Sequence, residues 1–90
     1  MDLTTAVRAL ADLGYRSILT EGGPAIIGQL SAALLLDELC VTTSPLLGAG
    51  AAGRIVSGPP LTRGLSLAHA LVDGDFLFCR YLVEESPAGR

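Results

Sequence analysis

The run Thr20-Glu21-Gly22-Gly23-Pro24 constrains this chain more tightly than any other. Proline has a fixed φ and no N–H, which suits the first position of a helix, and the glycine before it can take dihedrals closed to other residues. Upstream, Arg16 to Thr20 contributes Ser17, Ile18 and Leu19, a short apolar run that predicts a buried strand. Downstream, Pro24 opens a predicted helix to about Leu35, carrying Ile26, Ile27, Leu30, Ala33 and Leu34, with Gln29 and Ser31 as its polar members. So apolar a helix needs cover on more than one face.

Other elements follow from periodicity. Leu3, Ala6, Val7, Leu10 and Leu13 recur at helical spacing, with Asp2, Thr4 or Thr5 able to cap the start and Gly14 placed to end it. Asp37 to Ser44 reads as a strand with Leu39 and Val41 on one face and Cys40 on the other, closed by Pro45. Gly48 to Pro60 is rich in Gly and Pro and reads as loop. Leu65 to Val72 and Asp75 to Val83 are strand-like runs joined at Asp73-Gly74, a hairpin signal, and Glu84 to Arg90 reads as a frayed tail. The order predicts an α/β layer finished by an antiparallel hairpin.

Half of the 90 residues are apolar and 17% are charged, which excludes a disordered chain and leaves more apolar surface than so short a chain can bury. The net charge of −3 and the scattered cations offer no track for a nucleic-acid backbone. No stretch approaches the ~18 apolar residues of a membrane span, and the start lacks the pattern of a secretory leader, so a cytoplasmic setting is expected. Cys40 and Cys79 have no Cys or His at ligand spacing, which predicts thiols and no metal site.

The strand–diglycine–helix succession suits a phosphate, because helix starts present free N–H groups and glycine lets an anion approach the backbone. An ordinary turn that needs glycine for its dihedrals is the competing explanation, and spacing does not separate the two. Gly48-Ala49-Gly50-Ala51-Ala52-Gly53 matches the dinucleotide fingerprint in letters, but Gly58, Pro59 and Pro60 forbid the helix that the fingerprint requires. Glu21, at the strand end, suits a hydrogen-bond acceptor for a substrate or a helix-entry acid. His69 has no acid or nucleophile in its local sequence and reads as a core or surface imidazole. Arg54, Arg63 and Arg80 read as solvated singles.

Three segments in order, Ile18-Leu19-Thr20-Glu21-Gly22-Gly23-Pro24, Asp37-Glu38-Leu39 and Ser44-Pro45-Leu46-Leu47-Gly48-Ala49-Gly50, make the chain resemble the C-terminal half of the riboflavin-biosynthesis pyrimidine reductases. That resemblance implies an α/β fold, the C-terminal half of a dihydrofolate reductase-like sheet with flanking helices and a terminal antiparallel hairpin. It further implies NADPH-dependent reduction of the ribosyl group of a phosphoribosylaminopyrimidine, 5-amino-6-(5-phosphoribosylamino)uracil. Glu21 would contact substrate, and Gly22, Gly23, Pro24, Ala25, Ile26, Ile27, Gly28 and Gln29 would bind NADPH. No catalytic residue is assigned. The strand at Asp37–Ser44 would lie beside that at Asp75–Val83, making Cys40 and Cys79 neighbours. Thr20 departs from the family's usual aliphatic residue, and the loop Gly48–Pro60 is richer in Gly and Ala than most. The resemblance also implies a family domain roughly twice this length, of which the 90 residues are expected to be the C-terminal part.

A non-catalytic α/β dimerisation module and a reductase of folate-like substrates are the alternatives. The module has no need of Glu21-Gly22-Gly23-Pro24 at a strand end. Whichever holds, the second helix and the hairpin strands carry apolar residues that need cover, from a homo-oligomer or from a complementary N-terminal half. The chain alone is therefore expected not to be a stable monomer, and sedimentation of a compact monomer with no bound partner at micromolar concentration would overturn that expectation.

Overall fold

A computed structural model describes residues 2–87. The elements run α1 (Leu3–Asp12), α2 (Gly23–Ala32), β1 (Glu38–Thr43), β2 (Arg63–Asp73) and β3 (Phe76–Pro87). They fall into two units: Met1–Leu35 with Arg54–Pro60, and Leu36–Gly53 with Leu61–Arg90.

In the helical unit, α1 starts where Asp2 accepts the N–H groups of Thr4 at 3.0 Å and Thr5 at 3.3 Å, together with the Thr5 hydroxyl at 2.7 Å. The Thr5 hydroxyl and backbone, with Thr4, hold the Asp2 carboxyl below its ordinary pKa. At the other end Gly14 takes a φ of +98°. Tyr15 N–H reaches Leu10 C=O at 3.1 Å and Gly14 N–H reaches Ala11 C=O at 2.9 Å, a Schellman close. The same pattern closes α2 three residues before the expected Leu35: Leu35 N–H bonds Leu30 C=O at 2.9 Å and Leu34 N–H bonds Ser31 C=O at 3.1 Å. Here the left-handed residue is Leu34, at φ +61°, where glycine is the usual occupant.

Arg16–Thr20 forms no strand, a correction to the expectation. A strand exists only through its ladder, and among the described residues none pairs with this run, which leaves Ile18 and Leu19 exposed. Leu30 is the one apolar side chain among the described residues that is buried.

In the sheet unit the order is β1-β3-β2, antiparallel throughout, so β1 does lie beside β3. The register sets Cys40 opposite Arg80 and Val41 opposite Cys79. Residues directly opposite share a face, so the two thiols lie on opposite faces although their strands are neighbours, and both are free. One face carries Leu39, Val41, Leu65, Leu67, Ala70, Val72, Leu77, Cys79 and Tyr81. On the other face Arg80 makes a two-pronged pair with Glu38, Nε to Oε2 at 3.1 Å and Nη2 to Oε1 at 2.5 Å, and also meets His69 Nδ1 at 3.2 Å. The Arg80 hydrogen bonds hold the Glu38 carboxyl below its ordinary pKa. Phe76 and Phe78 stack on that face with centroids 6.3 Å apart.

The hairpin turns one residue later than expected. Asp73 pairs with Phe76, so the turn residues are Gly74 and Asp75, with Gly74 at φ +59°. A positive φ at the first central residue alone is the type II′ arrangement, in which glycine leads. β3 also continues past Glu84 to Pro87, opposite Arg63, whose Nη2 donates to Glu84 C=O. The rest of the expected tail, residues 88–90, lies outside the described residues.

The left-handed Leu34 gives the clearest stability forecast. Its side chain is 66% exposed, so little burial is lost on removing it. Leu34→Gly relieves a strain of about 1–2 kcal/mol in the helix close, partly offset by the added freedom of the unfolded chain. The variant is expected to unfold at higher urea concentration, and an unchanged or lower midpoint would contradict the helix close described.

Candidate functional site: the start of the second helix

The approach to α2 is built from backbone hydrogen bonds. Thr20 Oγ accepts the Gly22 N–H at 3.2 Å, and Glu21 C=O accepts the Gly23 N–H at 3.1 Å across the tight bend centred on Gly22. Thr20 thus gives the turn an acceptor that an aliphatic residue would lack. Gly23 sits at φ +78°, outside helical space, so regular helix geometry begins at Pro24 as its fixed φ predicts.

No side chain caps this helix start. Two N–H groups are used within the turn and Pro24 has none, so the N–H groups that follow are left for water or an anionic ligand, at the positive end of the helix dipole. A Cβ placed on Gly23 would meet nothing within 4 Å, so the space in front of the turn is open. The donor set and the clearance both suit a phosphate group.

Glu21 is exposed at the mouth of the turn. Of the residues expected to bind a nucleotide, Gly22, Gly23, Pro24, Ala25, Ile26 and Gln29 are exposed, Ile27 is half-buried and Gly28 is buried. Ala25, Gly28 and Gln29 share one side of α2 and line an open groove of ≈ 560 Å³. Its other walls are Asp2, Leu3 and Thr4 from the start of α1 and Ser57, Gly58 and Pro59 from the loop. The Asp2 carboxylate makes that end of the groove repellent to anions, whereas the uncapped start of α2 is attractive to them.

The loop wall was not foreseen from sequence. Ser57 N–H donates to Pro24 C=O at 3.1 Å, and a Cβ on Gly28 would lie 1.9 Å from the Ser57 carbonyl oxygen. Loop and helix therefore touch backbone to backbone. A glycine inside a helix was the available signal, because a helix interior disfavours glycine unless something approaches closely.

The other expected candidates lie elsewhere. His69 is exposed on the sheet with Arg80 as its neighbour. Arg80 is engaged by Glu38 and Arg63 by Glu84 C=O, so neither is the solvated single that was expected, while Arg54 is exposed. Gly48–Gly53 forms no helix, in keeping with rejection of the fingerprint. Among the described residues no helix is long and apolar enough to cross a membrane.

No curated protein matches the chain significantly. The sheet order, the two helices and the glycine turn fit part of a dihydrofolate reductase-like fold. The family model of the RibD C-terminal domain matches residues 1–77, from α1 to the first residues of β3, and the chain belongs to that family of riboflavin-biosynthesis reductase-type domains.

Proposed function

We propose that the chain is part of an NADPH-dependent reductase acting on the ribosyl group of 5-amino-6-(5-phosphoribosylamino)uracil, with the start of α2 as its nucleotide-phosphate site. The observation that carries this reading is the uncapped, glycine-fronted helix start in a member of this family. Gly22 and Gly23 form the turn, the open space in front of Gly23 leaves the phosphates room to approach, the N–H groups after Pro24 receive them, and Ala25 and Gln29 belong to the wall along which the nucleotide lies. NADPH, when bound, supplies the hydride.

Glu21 is the substrate-side group. Its carboxylate accepts hydrogen bonds from a hydroxyl or amine of the pyrimidine ribitol or ribosyl moiety and fixes that moiety relative to the nucleotide. A second copy of the chain, or an N-terminal half, completes the pocket and covers the apolar sheet face. The setting is cytoplasmic.

Two variants of the full-length protein test the division of labour. Glu21→Gln is expected to lower kcat/KM for the pyrimidine by roughly ten- to hundred-fold, the equivalent of 1.5–3 kcal/mol of charge-assisted bonding, with NADPH affinity nearly unchanged. Steady-state kinetics with each substrate varied in turn decides it, and an equal loss for both would mean that Glu21 only shapes the turn.

From sequence, Gly23→Val is expected to weaken NADPH binding much more than it changes folding, but the φ of +78° means that any side chain there strains the backbone. Gly23→Ala is the gentler change: we expect a stability loss of about 1–2 kcal/mol together with a more than tenfold rise in the Kd for NADPH. Titration of the folded variant with NADPH separates the two effects. Wild-type affinity there would leave the turn with a conformational role alone.

A further inference from the structure

We infer that Gly28 is a positioning residue, a seat that holds the loop Arg54–Pro60 against the first turns of α2 and so fixes one wall of the nucleotide site. This inference rests on the reading of α2 as that site. Three observations meet at the seat. Gly28 is buried in the middle of α2, where glycine is disfavoured and nothing in the helix itself requires it. The position a Cβ would occupy is filled by the Ser57 carbonyl, 1.9 Å from the oxygen and 2.9 Å from the carbon. One turn earlier, Ser57 N–H is bonded to Pro24 C=O at 3.1 Å.

The same residue of the loop is thus fixed at both its N–H and its C=O, at successive turns of one helix. A Gly- and Pro-rich segment with no ladder or helix of its own has few other means of holding a conformation. Ser57, Gly58 and Pro59 also line the groove together with Ala25 and Gln29. Displacing Ser57 by the width of one methyl group therefore moves the groove wall beside the helix start while leaving Gly22, Gly23 and Glu21 in place. Gly28 acts through the loop and does not touch the phosphates.

The test uses the full-length protein with NADPH as the probe. Gly28→Ala is expected to raise the KM for NADPH at least tenfold, with kcat at saturating NADPH and the KM for the pyrimidine within about twofold of wild type. Hydrogen exchange at the Ser57 amide is expected to quicken in the same variant. Should Gly28→Ala fail to fold, Ser57→Pro, which deletes the N–H from the loop side, is expected to give the same split. If wild type binds NADPH and both folded variants bind it equally well, the seat has no part in binding and the inference falls while the proposed function stands. A parallel rise in both KM values would also overturn it, since that marks general loosening. If wild type binds no NADPH at all, the proposed function fails and takes the nucleotide role of the seat with it.

Discussion

The backbone of β3 is hydrogen-bonded on both sides, and the sheet unit depends on that strand. β1 and β2 do not pair with each other, so neither has a place in the sheet without it. The two-residue turn after Asp73 brings β2 alongside at short chain distance, and the Glu38–Arg80 pair ties the more distant β1 to the same strand. Being exposed, that pair contributes more to register than to stability. The helical unit has a matching dependence on α2, which supplies the buried Leu30, the seat for the loop and the open helix start. With Leu30 the one buried apolar side chain among the described residues, neither unit has the apolar core that a larger domain builds.

Much of this was legible in the sequence wherever one residue type has one strong preference. Gly14 as a helix end and Pro24 as a helix start are local effects and appear where expected, and of the three possible caps Asp2, Thr4 and Thr5 it is Asp2 that takes the role. Leu34 shows the limit: the Schellman close at α2 is held by the hydrogen-bond pattern despite an unfavourable side chain, so the residue carried no signal. The hairpin was found but misplaced by one, because Asp-Gly and Gly-Asp are both turn pairs and the ladder register chooses between them. Arg16–Thr20 has strand composition without a strand, because pairing is a property of two segments.

The site divides in the same way. Glu21-Gly22-Gly23-Pro24 announces a turn through its own dihedral needs, and its chemistry follows from helix-terminus physics. The loop wall was invisible because the meeting of Ser57 with Pro24 and Gly28 joins residues about thirty apart in sequence through backbone atoms, which have no letter. The face of each cysteine likewise depends on cross-strand register, which the resemblance located only to the level of neighbouring strands.

One irregularity in the sheet bears on how relatives of this chain can vary. Leu67 lies opposite Tyr81 and His69 opposite Arg80, so Ala68 is an extra residue with no partner, a β-bulge. Removing Ala68 would join two positions already on alternate faces, leaving every side chain of β2 on its present side. Removing any other single residue from the regular stretch Ala70 to Asp73 would turn part of the strand inside out. Position 68 is thus a place where the strand can lose a residue over evolutionary time without exchanging its faces, a slack point next to a regular stretch that is intolerant of changes in length.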